Sequence, residues 1–212
     1  MPSNKYDSAS RRLADNGPRR RETKNTKVLL AKRPVGEPDD SCFEFVQEDI
    51  PALQAGQLLI KVLWLSLDPY MRGRMNDVKS YANPVGVGEI MVGESAGVVI
   101  DSRSDQFKVG AYVTAHMGWQ SLIVMDEGAP RLMKVDLRNG LLSAHLGVVG
   151  MPGRTAYFGL LELGKPVAGE TLVVAAASGA VGSVVGQLGK ILGLHDGRSA
   201  AAQWRSRLNC VA

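Results

Sequence analysis

The chain has 212 residues, 45% of them hydrophobic and 22% charged, with a formal net charge of +4. That balance suits a chain that buries a core, and it excludes disorder throughout and a membrane-embedded bundle. No apolar run approaches the roughly 18 residues that a bilayer-spanning helix needs. Two cysteines, Cys42 and Cys210, and three histidines, His116, His145 and His195, supply neither a disulfide framework nor zinc-ligand spacing. Their use points to a reducing compartment, most simply the cytoplasm.

The charge is unevenly placed. Residues 1–33 hold ten Lys/Arg against Asp7, Asp15 and Glu22, and the remaining 179 carry 15 basic against 18 acidic groups. Residues 1–26 are expected to form a disordered basic arm, poor in apolar residues and able to meet an anionic surface electrostatically. No apolar stretch follows these charges as a secretory signal requires, and the acidic residues weaken a mitochondrial address.

From Thr26 onward, short apolar runs alternate with turn residues. Lys27–Ala31, Cys42–Val46, Gln57–Trp64, Gly97–Ile100, Ala111–Ala115 and Trp119–Val124 read as strands of an antiparallel barrel or sandwich. After about Leu137 the period changes. A helix is expected over Arg154–Leu163, with Pro152 suited to a first helical turn. Thr171–Ala176 is a continuous apolar run, the mark of a strand buried on both faces of a parallel sheet. It leads through Ala177-Ser-Gly-Ala-Val-Gly182 into a helix from about Val181 to Leu192. Such a turn aims backbone N–H groups and the positive helix end at one point, where a pyrophosphate is stabilised. Gly179 can take a positive φ and, lacking a Cβ, lets a phosphate approach the backbone, and Gly182 would let the helix pack closely. Ala177 stands where the full G-x-G-x-x-G fingerprint has its first glycine.

Leu65–Arg72, Gly118-Trp-Gln120, Gly150-Met-Pro-Gly153, Thr155-Ala-Tyr157 and Leu172–Ser183 together resemble the zinc-independent medium-chain dehydrogenases/reductases. Within them the likeness is to the NADP-dependent alkenal double-bond reductase group, with its prostaglandin and curcumin reductases. The likeness runs from Lys27 to Gly193. It implies a mixed fold: a GroES-like β-barrel over 27–150, then the start of an α/β Rossmann domain over 151–193. The implied chemistry is NADPH-dependent reduction of the C=C bond of an enone or enal. Hydride goes to the β-carbon, and a proton to the α-carbon. No metal is implied: where zinc-dependent relatives carry Gly-His-Glu, this chain reads Val92-Gly93-Glu94, and Gly93 has no donor atom.

Site roles follow from the same resemblance. Tyr70 matches a tyrosine beside nicotinamide and substrate, and its phenol, ordinarily protonated at neutral pH, suits hydrogen bonding to the carbonyl. Tyr81 matches a tyrosine near the substrate pocket. Met151 and Thr155 match positions bordering the nicotinamide amide, and Ser178, Gly179, Ala180, Val181 and Gly182 form the pyrophosphate turn. Asp68 and Arg72 read as local structural groups. The tryptophans show no stacking pattern with basic residues, which disfavours nucleic acid; the resemblance implies a small-molecule partner, no membrane, and a homodimer in full-length relatives.

The likeness stops at Gly193. Residues 194–212 show no β-branched run and no family segment for the NADP 2′-phosphate, so the expectation is an incomplete Rossmann domain with a non-family tail, and a strand Thr171–Ala176 without parallel neighbours. Two other readings stay open. The chain could be a non-catalytic, truncated or frameshifted fragment, or a binding protein that uses its basic arm on a barrel scaffold.

Overall fold

The computed structural model describes residues 24–80 and 82–199. Strand β1 (Lys24–Leu30) pairs antiparallel with β2 (Phe43–Asp49), so regular structure begins three residues earlier than expected. The rest of the basic arm lies outside the described residues. Asn25 accounts for the early start. Its nearly buried amide donates to Gln120 Oε1 at 2.7 Å and accepts from the Leu122 N–H at 2.9 Å, tying the strand to the far side of the domain.

Five strands form the main sheet: β3 (Gln57–Leu65), β4 (Glu94–Ser102), β5 (Tyr112–His116), β6 (Leu122–Asp126) and β7 (Met133–Lys134). Their order is β6-β3-β4-β5-β7, with antiparallel neighbours throughout. The β1 hairpin is stitched onto this sheet. Val28 N–H donates to the Trp119 carbonyl at 2.8 Å, and Met91 N–H to the Val28 carbonyl at 3.0 Å, which rolls the strands into the expected barrel. The loose alternation of Gln57–Trp64 also has its reason. Register shifts at Leu59/Ile60 and Val62/Trp64 let Leu58, Leu59 and Ile60 all be buried in succession.

One core fills the barrel around Leu58, Ile60, Val99, Phe107, Val113 and Met117. A second, with Leu30, Cys42, Met71, Met75 and Met91, lies under the short helix α1 (Tyr70–Arg74). At its edge Phe43 and Trp119 stack with centroids 5.5 Å apart. A third joins Leu142 and Leu146 to Ala96 on the barrel wall.

The helix expected over Arg154–Leu163 is α2 (Met151–Tyr157), continued by a π-helical segment Phe158–Gly164, with Pro152 in its first turn. Strand β8 (Thr171–Ala175), helix α3 (Ala180–Ile191) and strand β9 (His195–Ser199) follow. Here the structure corrects the sequence reading: β8 does have a parallel neighbour, with Thr171 opposite His195 and Ala175 opposite Ser199. Gly193, at φ +73°, ends α3 in the left-handed conformation. Leu194 N–H then donates to the Gly189 carbonyl and His195 N–H to the Glu170 carbonyl, delivering a poor strand former to an open strand edge. Burial on both faces of β8 is also corrected. Val174 is 6% exposed but Val173 is 42% exposed, because among the described residues the two strands of this sheet leave one face uncovered. Among the described residues no helix is long and apolar enough to cross a membrane.

One close approach shapes the barrel. A Cβ on Gly97 would stand 2.3 Å from the Lys61 carbonyl oxygen, so β3 and β4 touch backbone to backbone there. Gly97→Ala is expected to lower stability by at least about 2 kcal/mol in urea denaturation. Asn25→Ala, which strands the Leu122 N–H, should cost about 1–3 kcal/mol in the same measurement.

Candidate functional site

Three strand ends meet at one mouth of the barrel. Strand β3 runs out at Leu65, Ser66 N–H donates to the Glu94 carbonyl at 2.9 Å, and Glu94 opens β4 directly opposite His116 at the end of β5. The chain leaving β3 turns at Asp68, whose carboxylate accepts from Ser66 Oγ at 2.7 Å. Pro69 then caps α1, making Tyr70 its first residue. Met71 and Met75 are buried below the helix, which leaves Tyr70 and Arg74, one turn apart, on the face toward the mouth.

A cleft of about 850 Å³ opens there. Tyr70, Arg74, Glu94, His116, Arg131 and Met151 line it, and Arg154 reaches it from α2. Tyr70 and Met151, two of the expected site residues, therefore share one wall-to-wall space. Thr155 sits one turn beyond Met151, where its hydroxyl donates to the Met151 carbonyl at 2.9 Å, and it does not line the cleft. Tyr81 lies outside the described residues. Arg72 is structural as expected, donating to the Gly36 carbonyl and to Asn76 Oδ1. Asp68 is both a local anchor and part of the cleft wall.

The turn expected to hold pyrophosphate stands apart from this cleft. Ser178, Gly179 and Ala180 are exposed, and Val181 and Gly182 are half-buried. Gly179 is extended, at φ −71° and ψ 167°, and does not use the positive φ open to a glycine; Ala176 takes one, at +50°. The chain reverses at the end of β8 itself, and Gly179 is left as an N-cap with no side chain to accept from the helix's first N–H groups. Gly182 behaves as expected. A Cβ there would lie 2.5 Å from the Ala176 carbonyl oxygen, so only glycine lets α3 start this close to the turn. Helix α2 packs against α3 and connects turn and cleft mechanically.

Sequence reasoning missed the charged lining. Arg74, Glu94, His116, Arg131 and Arg154 come from five separate segments, and no linear spacing announces them. Arg131 Nη1 lies 2.7 Å from His116 Nε2. A guanidinium can only donate, so Nε2 accepts and the ring is neutral with its proton on Nδ1. Partial burial of the ring first, then Arg131 and Arg74, hold the His116 pKa below the ordinary 6.5, while Glu94 opposes them. Arg131 itself is left-handed, at φ +62°, an uncommon backbone for a side chain of this size. In an NMR titration His116 should therefore show a midpoint below 6.5; Arg131→Gly should raise it and Glu94→Gln lower it further. A depressed histidine resists protonation only when folded. Its contribution to stability is thus intact above pH 6.5 and lost as pH falls toward the native midpoint.

The family model described as the N-terminal domain of oxidoreductase matches residues 26–135. The NADPH-dependent curcumin reductase of Escherichia coli (strain K12) is 44% identical over 170 residues, 80% of this chain and 49% of that protein. Prostaglandin reductase 1 of Rattus norvegicus is 42% identical, over 77% of this chain and 48% of its own length. CurA from Vibrio vulnificus, crystallised in complex with NADPH, superposes with a TM-score of 0.76 at 48% identity, covering 82% of this chain and 51% of that one. The chain thus spans about half the length of the relatives it matches. It belongs to the oxidoreductase family whose N-terminal domain it carries, and it is similar to the group of NADP-dependent enone and alkenal reductases.

Proposed function

We propose that this chain supplies the substrate barrel and the first cofactor-binding turn of an NADPH-dependent, zinc-independent reductase of conjugated C=C bonds. The observation that carries the reading is the shared cleft: Tyr70 and Met151, drawn from different domains, face one 850 Å³ space in a chain 42–48% identical to reductases of this kind. Bound NADPH would supply the hydride for the β-carbon of the substrate. Met151 would border the nicotinamide from α2, and Tyr70 would donate to the substrate carbonyl oxygen as negative charge grows on it. The segments 1–26, 27–150, 151–193 and 194–212 serve in this reading as arm, barrel, cofactor unit and tail. The enone or enal is the partner, and the cytoplasm the compartment.

The cofactor fits the residues present. The N-terminus of α3 has no side-chain cap, its flanking turn is exposed, and the space a Cβ would fill at Gly182 is already taken by backbone. Zinc is poorly suited to the barrel side. A Cβ at Gly93 would lie 2.7 Å from Leu65 Cδ1 and 3.2 Å from Met71 Cε, so the place a histidine ligand would occupy is filled by hydrocarbon.

The test is a titration of the 212-residue chain with NADPH, followed by nicotinamide fluorescence, with NADH as comparison. Micromolar NADPH binding is expected, weakened about tenfold or more by Gly182→Ala, whose new methyl forces the turn open. Enone reduction should fall roughly a hundredfold in Tyr70→Phe with NADPH affinity unchanged. No binding up to millimolar NADPH would refute the catalytic reading for this chain.

A further inference from the structure

The cleft carries more positive charge than transfer of hydride to a neutral enone calls for. Arg74, Arg131 and Arg154 line it, against Asp68 and Glu94, although the chain beyond residue 33 is acidic on balance. Among the described residues none of these three arginines is held in an ion pair. Arg74 Nε is buried without a hydrogen-bond partner, a donor that water does not reach and that the protein leaves unsatisfied. Arg131 holds a left-handed backbone while its guanidinium reaches across to His116. Backbone strain beside an orphaned donor, in one cavity with Tyr70, is the combination expected where a ligand completes the hydrogen bonding.

We propose that the substrate accepted here carries a carboxylate in addition to its conjugated carbonyl, and that Arg74 and Arg131 bind that carboxylate. The inference rests on the reductase reading for the double bond and adds the specificity. A guanidinium fork matches a carboxylate with paired N–H···O bonds, which a lysine at either position would not offer. His116, neutral with its proton on Nδ1, adds a donor without adding charge, and the cleft volume suits a small organic acid lying between Tyr70 and Arg131. Phosphate oxygens would suit the same guanidinium groups. The pyrophosphate of the cofactor nevertheless has its own place at the α3 turn, none of whose residues lines this cleft.

The experiment is calorimetric titration of the 212-residue chain with β-benzoylacrylate and with its methyl ester, two enones that differ in one charge. The acid is expected to bind about tenfold or more tightly than the ester. Arg131→Gly, which suits the left-handed backbone, should weaken the acid far more than the ester and so erase that advantage. Arg74→Gln should do the same, and inorganic pyrophosphate should not displace the acid. Equal binding of acid and ester, failure of both to bind, equal weakening of both by the arginine variants, or displacement by pyrophosphate would each overturn the proposal. NADPH binding without a preference for the acid would sink this inference alone. An arginine-dependent preference for the acid in a chain that does not bind NADPH would remove the reductase reading and leave a carboxylate pocket.

Discussion

The barrel depends on two backbones touching where Gly97 of β4 crosses Lys61 of β3. With a side chain at Gly97 the strands would stand apart, because its Cβ would fall 2.3 Å from a carbonyl oxygen. The contact lies between the two register shifts of β3, and bulges of this kind bend a strand and sharpen its twist. A sheet curled in this way brings its strand ends together at one side. The end of β3, the start of β4 and the end of β5 converge there, putting Glu94 opposite His116 and releasing the chain into Asp68 and Tyr70. Cleft geometry follows from that curl, and the curl from an absent side chain.

Within the cleft, electrostatics and geometry reinforce each other. Arg131 donates to His116 and thereby keeps the imidazole neutral, so Arg131 and Arg74, the two arginines that act on the ring, meet a group that adds no charge of its own. Glu94 pulls the other way, and its effect on His116 ranks below burial of the ring and below Arg131. Tyr70 is carried on the same short helix as Arg74 and lines the same cleft. A ligand that touches one of these side chains is within a helical turn of the other.

Six strands of the barrel were legible because apolar runs of four to eight residues separated by turn residues leave few alternatives, whereas the two-residue β7 offers no run to read. The strand–turn–helix was legible from Leu172–Gly182 for the same reason. Two features beside that turn were not. Strand β9 carries His195, Asp196, Gly197, Arg198 and Ser199, none of which favours a strand, and it forms because Gly193 turns the chain onto the open edge of β8. The left-handed residue at the turn is Ala176 rather than Gly179, since the reversal is placed by the close seat of Gly182 on the Ala176 carbonyl and not by local preference. The charged lining escaped notice for a different reason. Its members are ordinary arginines, a histidine and a glutamate until topology brings positions 74, 94, 116, 131 and 154 to one mouth.

Stability is not shared evenly between the two parts of the chain. The barrel buries Leu58, Ile60, Val99 and Val113 almost completely, with antiparallel partners on both sides of β3 and β4. Beyond the barrel, the described residues hold α2 with its π-helical continuation, two parallel strands and the 12-residue α3, and they leave Leu163, Val173 and Ile191 from 42% to 83% exposed. Parallel strands are ordinarily covered on both faces, and among the described residues only one face of this sheet is covered. Its firmest attachment is the glycine-mediated seat of α3, where Gly182 meets the Ala176 carbonyl and Gly189 meets Leu172. A ligand gripping the N-terminus of α3 would engage the least constrained element and, through the packing of α2 on α3, the element that carries Met151. On the proposed reading, ligand at the turn would be coupled through that contact to order at the Met151 wall of the cleft, because a group that binds only the folded turn stabilises it.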